Sequence, residues 1–289
     1  MNDHLAATNK KFPLAYIVPA KIDTQISEEV AGKINSILEV ETSEIKNVID
    51  SRSDKFRVLA RRISDEQVVA VKELGINGLD VAYETDRFYP GNSLAANVLG
   101  FLGYSGDTKS GQYGIEAFYD DELFGNSKAD RPADVILTID KNIQQVVENS
   151  LELLMKRWKA AGGTIIVQNP NTGEILAMAD RPTFDPNNYS EYEPRNFLNR
   201  GVQEIFEPGS SFKPITMAMG LDLGAVTPQT TFNDVGFREV SGYTIKNFSE
   251  RVFGTVTMSQ VLERSINTGA MYVQDKVGDD NFLDYLINF

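Results

Sequence analysis

The sequence predicts an α+β protein of two domains, in which helices pack on antiparallel sheets. Its 289 residues are enough for about two domains of ordinary size, and 42% of them are hydrophobic. Short strand-like and helix-like segments alternate in the first part, and a polar stretch, GNSKADRPAD, follows them. Beyond that stretch, a long amphipathic helix precedes a hairpin and a further helix. We therefore expect one domain over residues 1–130 and another over residues 131–289.

The first domain is predicted to alternate strands and helices. Ser27 and Ser64 each begin a segment with helical spacing, where a serine hydroxyl can cap free backbone N–H groups. The stretch from Gly100 to Gly114 is rich in glycine and turn residues, so we expect a loop there. The segments in chain order are a strand at LAYIVP, a helix at SEEVAGKINSIL, a strand at FRVLARRI, a helix at SDEQVVAVKELG, a strand at GLDVAYETDRFYP and a short helix at GIEAFYDDELFG, closed by Gly125.

The second domain is predicted to open with a strand, VILTID, and then a long helix. Apolar residues recur at helical spacing in KNIQQVVENSLELLMKRWKAAGG, and Gly162 and Gly163 are expected to end that helix. In TIIVQNPNTGEILAMA, two β-rich runs flank NPNTG, which is typical of an antiparallel hairpin. A loop with three prolines then leads to FEPGSSFKP.

The composition excludes several classes of function. A net charge of −13 argues against binding to nucleic acid, whose phosphates need a basic face, and against docking on an anionic membrane surface. The chain has no cysteine and a single histidine, His4, so a zinc site of the Cys/His kind is excluded. No apolar run reaches the ~18 residues that span a bilayer, and no signal peptide is recognisable. The chain stops inside an apolar-periodic segment, LDYLINF, so we expect both ends to be cut from a longer protein.

The stretch FEPGSSFKP contains a candidate nucleophile. Pro214 is tolerated only in the first turn of a helix, so the helix must begin close to Ser210 or Ser211. Residues three apart share a helix face and residues two apart do not, so Ser210 and Lys213 are neighbours. Ser211 is left as a packing or capping residue.

A serine beside a lysine can carry acyl-transfer chemistry. The hydroxyl is a weak nucleophile until a base takes its proton, and a lysine whose pKa is lowered by burial can act as that base. A backbone N–H at the start of the helix can serve as half of an oxyanion hole. The S-x-x-K pattern alone is weak, and by itself it is more typical of an ordinary helix start. A second match, Ser43 to Lys46, has no glycine turn and is interpreted as chance.

A further pair of polar residues lies downstream. Ser265-Ile266-Asn267 is the only S-x-N in the chain, and it falls after a helix that Thr257 and Gln260 can start with a capping box. There the serine could relay a proton, and the asparagine could bond the lysine or a substrate amide. The alternative is that Asn267 and Thr268 merely cap the next helix.

Together these residues resemble the penicillin-binding proteins and, within them, the class B monofunctional D,D-transpeptidases. DRFYPGNSLAANVLGFLGYSG and QYGIEAFYDDELFG are similar to the non-catalytic pedestal of that family. DVILTIDKNIQQVVENSL, GGTIIVQNPNTGEILAMADRPTFDPN and FLNRGVQEIFEPGSSFKP then follow in the order of its transpeptidase domain. The resemblance implies a dimerisation-type pedestal followed by the first part of a transpeptidase domain with the fold of the serine β-lactamases.

The resemblance also implies a reaction. Ser210 would be the acylated nucleophile, Lys213 its general base and Ser265 a proton relay, while Asn267 would orient Lys213 and the donor peptide. The enzyme would acylate itself on a D-Ala-D-Ala stem peptide and pass the acyl group to an amine of a neighbouring stem, cross-linking peptidoglycan. β-Lactams would acylate the same serine, and no metal or organic cofactor is implied.

The family's third motif, K-[ST]-G, is expected on a strand well after S-x-N, and the sequence ends 22 residues past Asn267. Lys109-Ser110-Gly111 matches the pattern but lies in the pedestal, before the first motif. We therefore expect the 289 residues alone to be poorly stable and nearly inactive. Arg87 and Glu116 are expected to fix the domain interface.

Three functional hypotheses follow. The first is a transpeptidase on the extracytoplasmic face of a bacterial membrane, anchored by an N-terminal helix missing from this chain. Its partners would be stem peptides, a membrane-embedded glycosyltransferase and division or elongation proteins, with no nucleic acid. The second is a non-catalytic scaffold, which would not need both Ser210 and Lys213. The third is a serine β-lactamase or β-lactam sensor, which the pedestal disfavours.

Overall fold

A computed structural model describes residues 4–51, 55–105, 108–124 and 132–288. The chain divides into two compact units, Met1–Glu204 and Ile205–Phe289. Both units combine helices with antiparallel strand pairs, so the predicted α+β class is confirmed. Within the described ranges, no helix is long and apolar enough to cross a membrane. The predicted domain boundary, between residues 130 and 131, lies outside the described residues.

The first unit begins with a three-stranded sheet covered by helices. Its strands and helices in chain order are β1 (Thr8–Ile17), α1 (Ser27–Leu38), α2 (Thr42–Asp50), β2 (Arg57–Arg61), α3 (Asp65–Glu73), β3 (Leu79–Phe88), α4 (Ala96–Leu99), β4 (Phe101–Ser105), β5 (Thr108–Gln112), α5 (Gly114–Phe118), α6 (Asp120–Phe124), α7 (Lys141–Trp158), β6 (Gly163–Gln168), β7 (Ile175–Arg181) and α8 (Arg200–Gln203). The three-stranded sheet is antiparallel in the order β2-β1-β3, and α1, α2 and α3 pack with it around one apolar core.

The two predicted serine caps had different outcomes. Ser64 caps α3 with a full capping box, since it accepts from the N–H of Gln67 while the Gln67 side chain accepts from the N–H of Ser64. The prediction that Ser27 caps α1 is wrong. A 3₁₀ turn at Thr24–Ile26 runs directly into α1, so Ser27 already has helical backbone angles, and Asp23 caps that preceding turn.

The predicted loop from Gly100 to Gly114 is wrong, because it contains the antiparallel hairpin β4–β5. Gly103 and Gly111 lie inside the two strands and do not mark an irregular loop. A Cβ atom at Gly111 would lie 1.9 Å from the carbonyl oxygen of Glu116, so the glycine lets α5 approach the strand closely. Glycine inside a strand is typical of such a close backbone approach.

The long helix and the following hairpin are confirmed. β6 and β7 pair antiparallel, and α7 packs on them through the buried side chains of Val147 and Leu151. The helix ends at Lys159, whose φ is +50°, and not at the two glycines. VILTID is not a strand: its last residue, Asp140, caps α7 and makes one backbone hydrogen bond to Leu176.

Hydrogen bonds join the segments on either side of residues 125–131 into one unit. The Asn187 side chain bonds both backbone groups of Tyr89, and the Ala95 N–H donates to Glu148 at 2.7 Å. Arg87 and Glu116, expected at the domain interface, form a 2.7 Å ion pair between β3 and α5 inside this unit.

The second unit is smaller and has its own apolar core. Its elements in chain order are α9 (Lys213–Asp222), β8 (Thr231–Asp234), β9 (Phe237–Val240), β10 (Tyr243–Lys246), β11 (Gly254–Thr257), α10 (Met258–Glu263), α11 (Asn267–Val277) and α12 (Asp279–Asn288). β8 pairs with β11 and β9 with β10, both antiparallel. This unit contains all four predicted site residues.

Candidate active site

The first motif lies on a 3₁₀ turn that runs into α9. Gly209 has a φ of +58°, and the turn Gly209–Phe212 continues directly into the helix, with Pro214 in its first turn. The Ser211 hydroxyl donates back to the carbonyl of Pro208, so it supports the turn. Ser210 is exposed at the same point, which leaves its hydroxyl accessible.

Lys213 is the centre of the site. Its Nζ lies 3.2 Å from Ser210 Oγ, 2.9 Å from Ser265 Oγ, 2.6 Å from the Ser265 carbonyl oxygen and 2.6 Å from Asn267 Oδ1. All four acceptors are neutral oxygens. Burial of the lysine therefore lowers the pKa of Lys213, since the charged form loses solvation without gaining a carboxylate.

The distances indicate how the neutral amine would be arranged. A neutral amine has two hydrogens and one lone pair. The two shortest contacts, to the Ser265 carbonyl oxygen and to Asn267 Oδ1, are both pure acceptors and take the two hydrogens. The lone pair is then left for a hydroxyl, and both Ser210 and Ser265 offer one within 3.2 Å. The arrangement can accept a proton from Ser210.

The second motif lies in the break between α10 and α11. Thr257 and Gln260 form the predicted capping box at the start of α10. The buried side chain of Ile266 anchors the break, and Ser265 has a φ of +53°. A left-handed backbone is unfavourable for serine, and strained residues of this kind occur at functional sites. The strain turns both the carbonyl and the hydroxyl of Ser265 toward Lys213.

Asn267 is held at both ends of its amide. Its Oδ1 accepts from Lys213, and its Nδ2 donates to the carbonyl oxygen of Lys246 at 2.8 Å. The alternative that Asn267 and Thr268 merely cap α11 does not hold, because the N-cap residue is Ile266 and no side chain caps there. The Thr268 hydroxyl donates instead to Asp234.

A glycine allows the two motif-bearing helices to lie close together. A Cβ atom at Gly220 in α9 would lie 2.6 Å from Cγ1 of Val273 in α11 and 3.0 Å from Cγ2 of Val226. Val273 is fully buried. The absence of a side chain at Gly220 therefore permits the close approach of α9, which carries Lys213, and α11, which carries Asn267.

The lysines of the two other motif matches, the S-x-x-K at Ser43 and the K-[ST]-G at Lys109, each form an ion pair with a carboxylate. Lys46, three residues after Ser43, forms a 2.7 Å ion pair with Glu28, which raises the pKa of Lys46. Lys109 of Lys109-Ser110-Gly111 forms a 2.6 Å ion pair with Asp86. Neither ammonium group is arranged to act as a base.

Sequence reasoning did not identify the residues that support the second motif and the packing of its helix. Asp234, Asn247 and Gly220 carry no local motif, and of these only Gly220 has a signal, as a glycine inside a helical pattern. The sequence indicates Thr268 only as a cap of α11, and its hydroxyl instead donates to Asp234. Across the described ranges, no group of histidine, cysteine, aspartate and glutamate side chains could hold a metal ion.

Two family models match the chain. The penicillin binding protein transpeptidase domain matches residues 163–289, and the penicillin-binding protein dimerisation domain matches residues 1–149. Stage V sporulation protein D of Bacillus subtilis (strain 168) is 30% identical, over 98% of this chain and 47% of that protein. The peptidoglycan D,D-transpeptidase FtsI of Escherichia coli (strain K12) is 28% identical, over 89% of this chain and 48% of that protein.

The fold is similar to a crystal structure of Penicillin Binding Protein 2X from Streptococcus thermophilus. The TM-score is 0.68 at 19% sequence identity, and the match covers 97% of this chain and 49% of that chain. The chain thus spans about half the length of the relatives it matches.

Proposed function

Because the chain belongs to the class B penicillin-binding proteins, we propose that it carries the acyl-accepting serine of a peptidoglycan D,D-transpeptidase. Ser210 is the nucleophile and Lys213 its general base. The observation that carries the proposal is the environment of Lys213, a partly buried amine that touches Ser210 and neutral oxygens. Such an amine keeps a larger neutral fraction than an exposed lysine, as a general base requires.

The first half-reaction is acylation by a stem peptide ending in D-Ala-D-Ala. The Ser210 hydroxyl gives its proton to neutral Lys213 while Oγ bonds to the carbonyl carbon of the penultimate residue. The tetrahedral intermediate then collapses, the bond to the terminal D-Ala nitrogen breaks, and the proton passes to that leaving amine. Ser265, whose hydroxyl lies 2.9 Å from Lys213 Nζ, can relay the proton. The backbone N–H of Ser210 provides one oxyanion donor.

In the second half-reaction, an amine of a neighbouring stem peptide attacks the ester. It loses one proton through Lys213, and Ser210 leaves as the alcohol, so one amide bond replaces another and no oxidant or reductant is consumed. A β-lactam follows the first half-reaction only. Its ring opens on attack, and the amine that leaves stays tethered to the acyl group.

The partners follow from the substrate. Peptidoglycan lies outside the cytoplasmic membrane, so the enzyme acts on the extracytoplasmic face, held there by a membrane anchor. It works beside the glycosyltransferase that supplies glycan strands and with proteins of division or elongation. The 149 residues that match the dimerisation-domain model suit such contacts.

Labelling of the full natural protein that contains this sequence tests the proposal. A fluorescent penicillin should form a stoichiometric covalent adduct, and peptide mass spectrometry should locate it on Ser210. Ser210→Ala should abolish the adduct, whereas the matched control Ser211→Ala should keep it, because Ser211 only supports the turn. An adduct on another serine, or labelling that survives Ser210→Ala, would show that the proposal is wrong.

A further inference from the structure

Asp234 is a buried carboxylate behind the site. It ends β8, its exposure is 1%, and four donor groups converge on it. Oδ1 accepts from the Gly236 N–H at 2.9 Å and the Thr268 hydroxyl at 2.6 Å, and Oδ2 accepts from the Phe253 N–H at 2.8 Å. The Asn247 side-chain nitrogen donates to both oxygens, at 3.0 and 2.9 Å. A buried charge with this many partners is fully satisfied.

Asp234 fixes the orientation of the Asn247 amide. Because Asn247 Nδ2 points at the carboxylate, its Oδ1 points the other way and accepts from the backbone N–H of Thr268 at 3.2 Å. That N–H belongs to the first turn of α11, which has no side-chain cap of its own. The Asn247 side chain therefore caps the N-terminus of α11, although it lies 21 residues before Thr268.

Two consecutive residues, Lys246 and Asn247, thus form hydrogen bonds to the consecutive residues Asn267 and Thr268. The Lys246 carbonyl accepts from the Asn267 side chain, and the Asn247 side chain accepts from the N–H of Thr268. Asn267 in turn places Oδ1 at 2.6 Å from Lys213 Nζ. These bonds, together with the direct bond from the Thr268 hydroxyl to Asp234, connect Asp234 to Lys213, and each link has a defined donor and acceptor.

We propose that Asp234 is a positioning residue for the acylation of Ser210. It holds Asn247 and Thr268 so that Asn267 keeps its oxygen on Lys213 and its nitrogen on Lys246. The inference rests on the proposed function, since it concerns the same lysine. Asp234 touches neither Ser210 nor Lys213 and acts through the second motif.

Only a carboxylate fits at position 234. Each of its oxygens accepts a backbone N–H, from Gly236 on one side and Phe253 on the other. An asparagine would put an NH₂ group against one of those donors and leave it unpaired. Burial by itself would raise the pKa of Asp234, but the hydrogen bonds, that from Thr268 foremost, hold the pKa below its usual range. The group stays ionised and acceptor-only at neutral pH.

The test compares acylation by a fluorescent penicillin in variants of the full natural protein. Asp234→Asn and Thr268→Val should lower the limiting acylation rate about 10- to 100-fold, because a small misplacement of a catalytic group is costly. Thr268→Ser keeps the hydroxyl and should retain the rate within about threefold. Val277→Ala, in the far end of the same helix, is the matched control for simple loss of stability. It should lower the melting temperature and leave the acylation rate unchanged.

A pH profile separates positioning from mere destabilisation. Lys213 loses an acceptor for its ammonium form when Asn267 shifts, so the acid limb of the profile should move to lower pH in Asp234→Asn and Thr268→Val. On the strands beside α11, Lys246 forms an ion pair with Glu250 and Arg238 forms one with Asp275. In Val277→Ala, the acid limb of the pH profile should lie at the same pH as in the wild-type protein.

Each outcome decides one of the two proposals. If wild-type protein is acylated at Ser210 and Thr268→Val matches it in rate and in acid limb, Asp234 is structural only and the inference is wrong. If Asp234→Asn fails to fold, the comparison of Thr268→Val with Thr268→Ser still decides. If the wild-type protein is not acylated at Ser210 at all, the proposed function fails and the inference falls with it.

Discussion

Two serines in this protein are followed by a lysine three residues later, and the two pairs differ in what the lysine touches. Lys46 on α2 lies 2.7 Å from the Glu28 carboxylate, and its side chain is half-buried. Lys213 on α9 is partly buried and touches only hydroxyl, carbonyl and amide oxygens. A carboxylate favours the ammonium form, while burial among neutral acceptors favours the free amine. The pKa of Lys46 is accordingly raised and that of Lys213 lowered.

The comparison shows that helical spacing supplies proximity and nothing more. Both pairs have the same i, i+3 relation, yet only Lys213 has a hydrogen bond to its serine in the described structure, at 3.2 Å. The difference comes from residues far along the chain: Ser265 and Asn267 lie 52 and 54 residues after Lys213. Two pairs of substitutions and one single substitution would break or sharpen the contrast.

Removing each lysine in turn should give the largest difference. Lys213→Gln should slow acylation of Ser210 by a factor of about 10² to 10⁴, the usual contribution of a general base. Lys46→Gln is the matched control and should leave the rate within about twofold. Rates of labelling by a fluorescent penicillin, measured for both variants, check this. Equal rates for the two variants would remove Lys213 from the mechanism.

Placing a carboxylate beside Lys213 should make it resemble Lys46. Asn267→Asp puts a negative charge where Oδ1 now lies, so the pKa of Lys213 rises and its neutral fraction falls. Acylation at neutral pH should slow about 10- to 100-fold, and the acid limb of the pH profile should move to higher pH. The sign follows because the active form is the deprotonated amine, which is lost as pH falls through its pKa.

Acylation rates of Asn267→Asp at high pH distinguish an effect of the added charge from an effect of altered geometry. If protonation is the cause, the rate of Asn267→Asp should recover toward the wild-type plateau as pH rises. A rate that stays low at every pH would mean that the lost bond to Lys246 matters more than the added charge.

A pair of helical glycines should give the smallest effect. Gly220→Ala forces a methyl group against Val273, whose branched side chain has little freedom to move, and should lower the free energy of unfolding by about 1 kcal/mol. Gly32→Ala on α1 is the control, since no atom lies within 4 Å of the added carbon, and it should raise stability by about 1 kcal/mol. Denaturant unfolding measures both. A gain for Gly220→Ala would mean that α9 and α11 can separate freely.

Much of the local structure could be predicted from short-range signals. The cap at Ser64, the capping box at Thr257, the hairpin at NPNTG and the long helix that follows Asp140 each depend on a few neighbouring residues. The errors have physical reasons. The sequence predicts a loop at Gly103 and Gly111 because a glycine that permits close packing has the same local signature as one that makes a turn.

The residues of the candidate site also fall into two groups, those predicted from local patterns and those that no local pattern indicates. The spacing in Ser210-Ser211-Phe212-Lys213 and the single Ser265-Ile266-Asn267 were sufficient to name four residues, and their catalytic roles stay a prediction. No signal in the sequence pointed to Asp234, because its partner Thr268 is 34 residues away. Hydrogen bonds over that separation depend on how β8, β10 and α11 pack, which no local pattern encodes.

The sequence by itself determined that a serine and a lysine share the first turn of one helix, since that relation depends only on helix geometry. The tertiary structure decided that this lysine lies among neutral oxygens, and that Asn267 is held at both ends of its amide. The reason is that a pKa depends on solvation and on the nearest charges, and both are set by residues brought together only on folding.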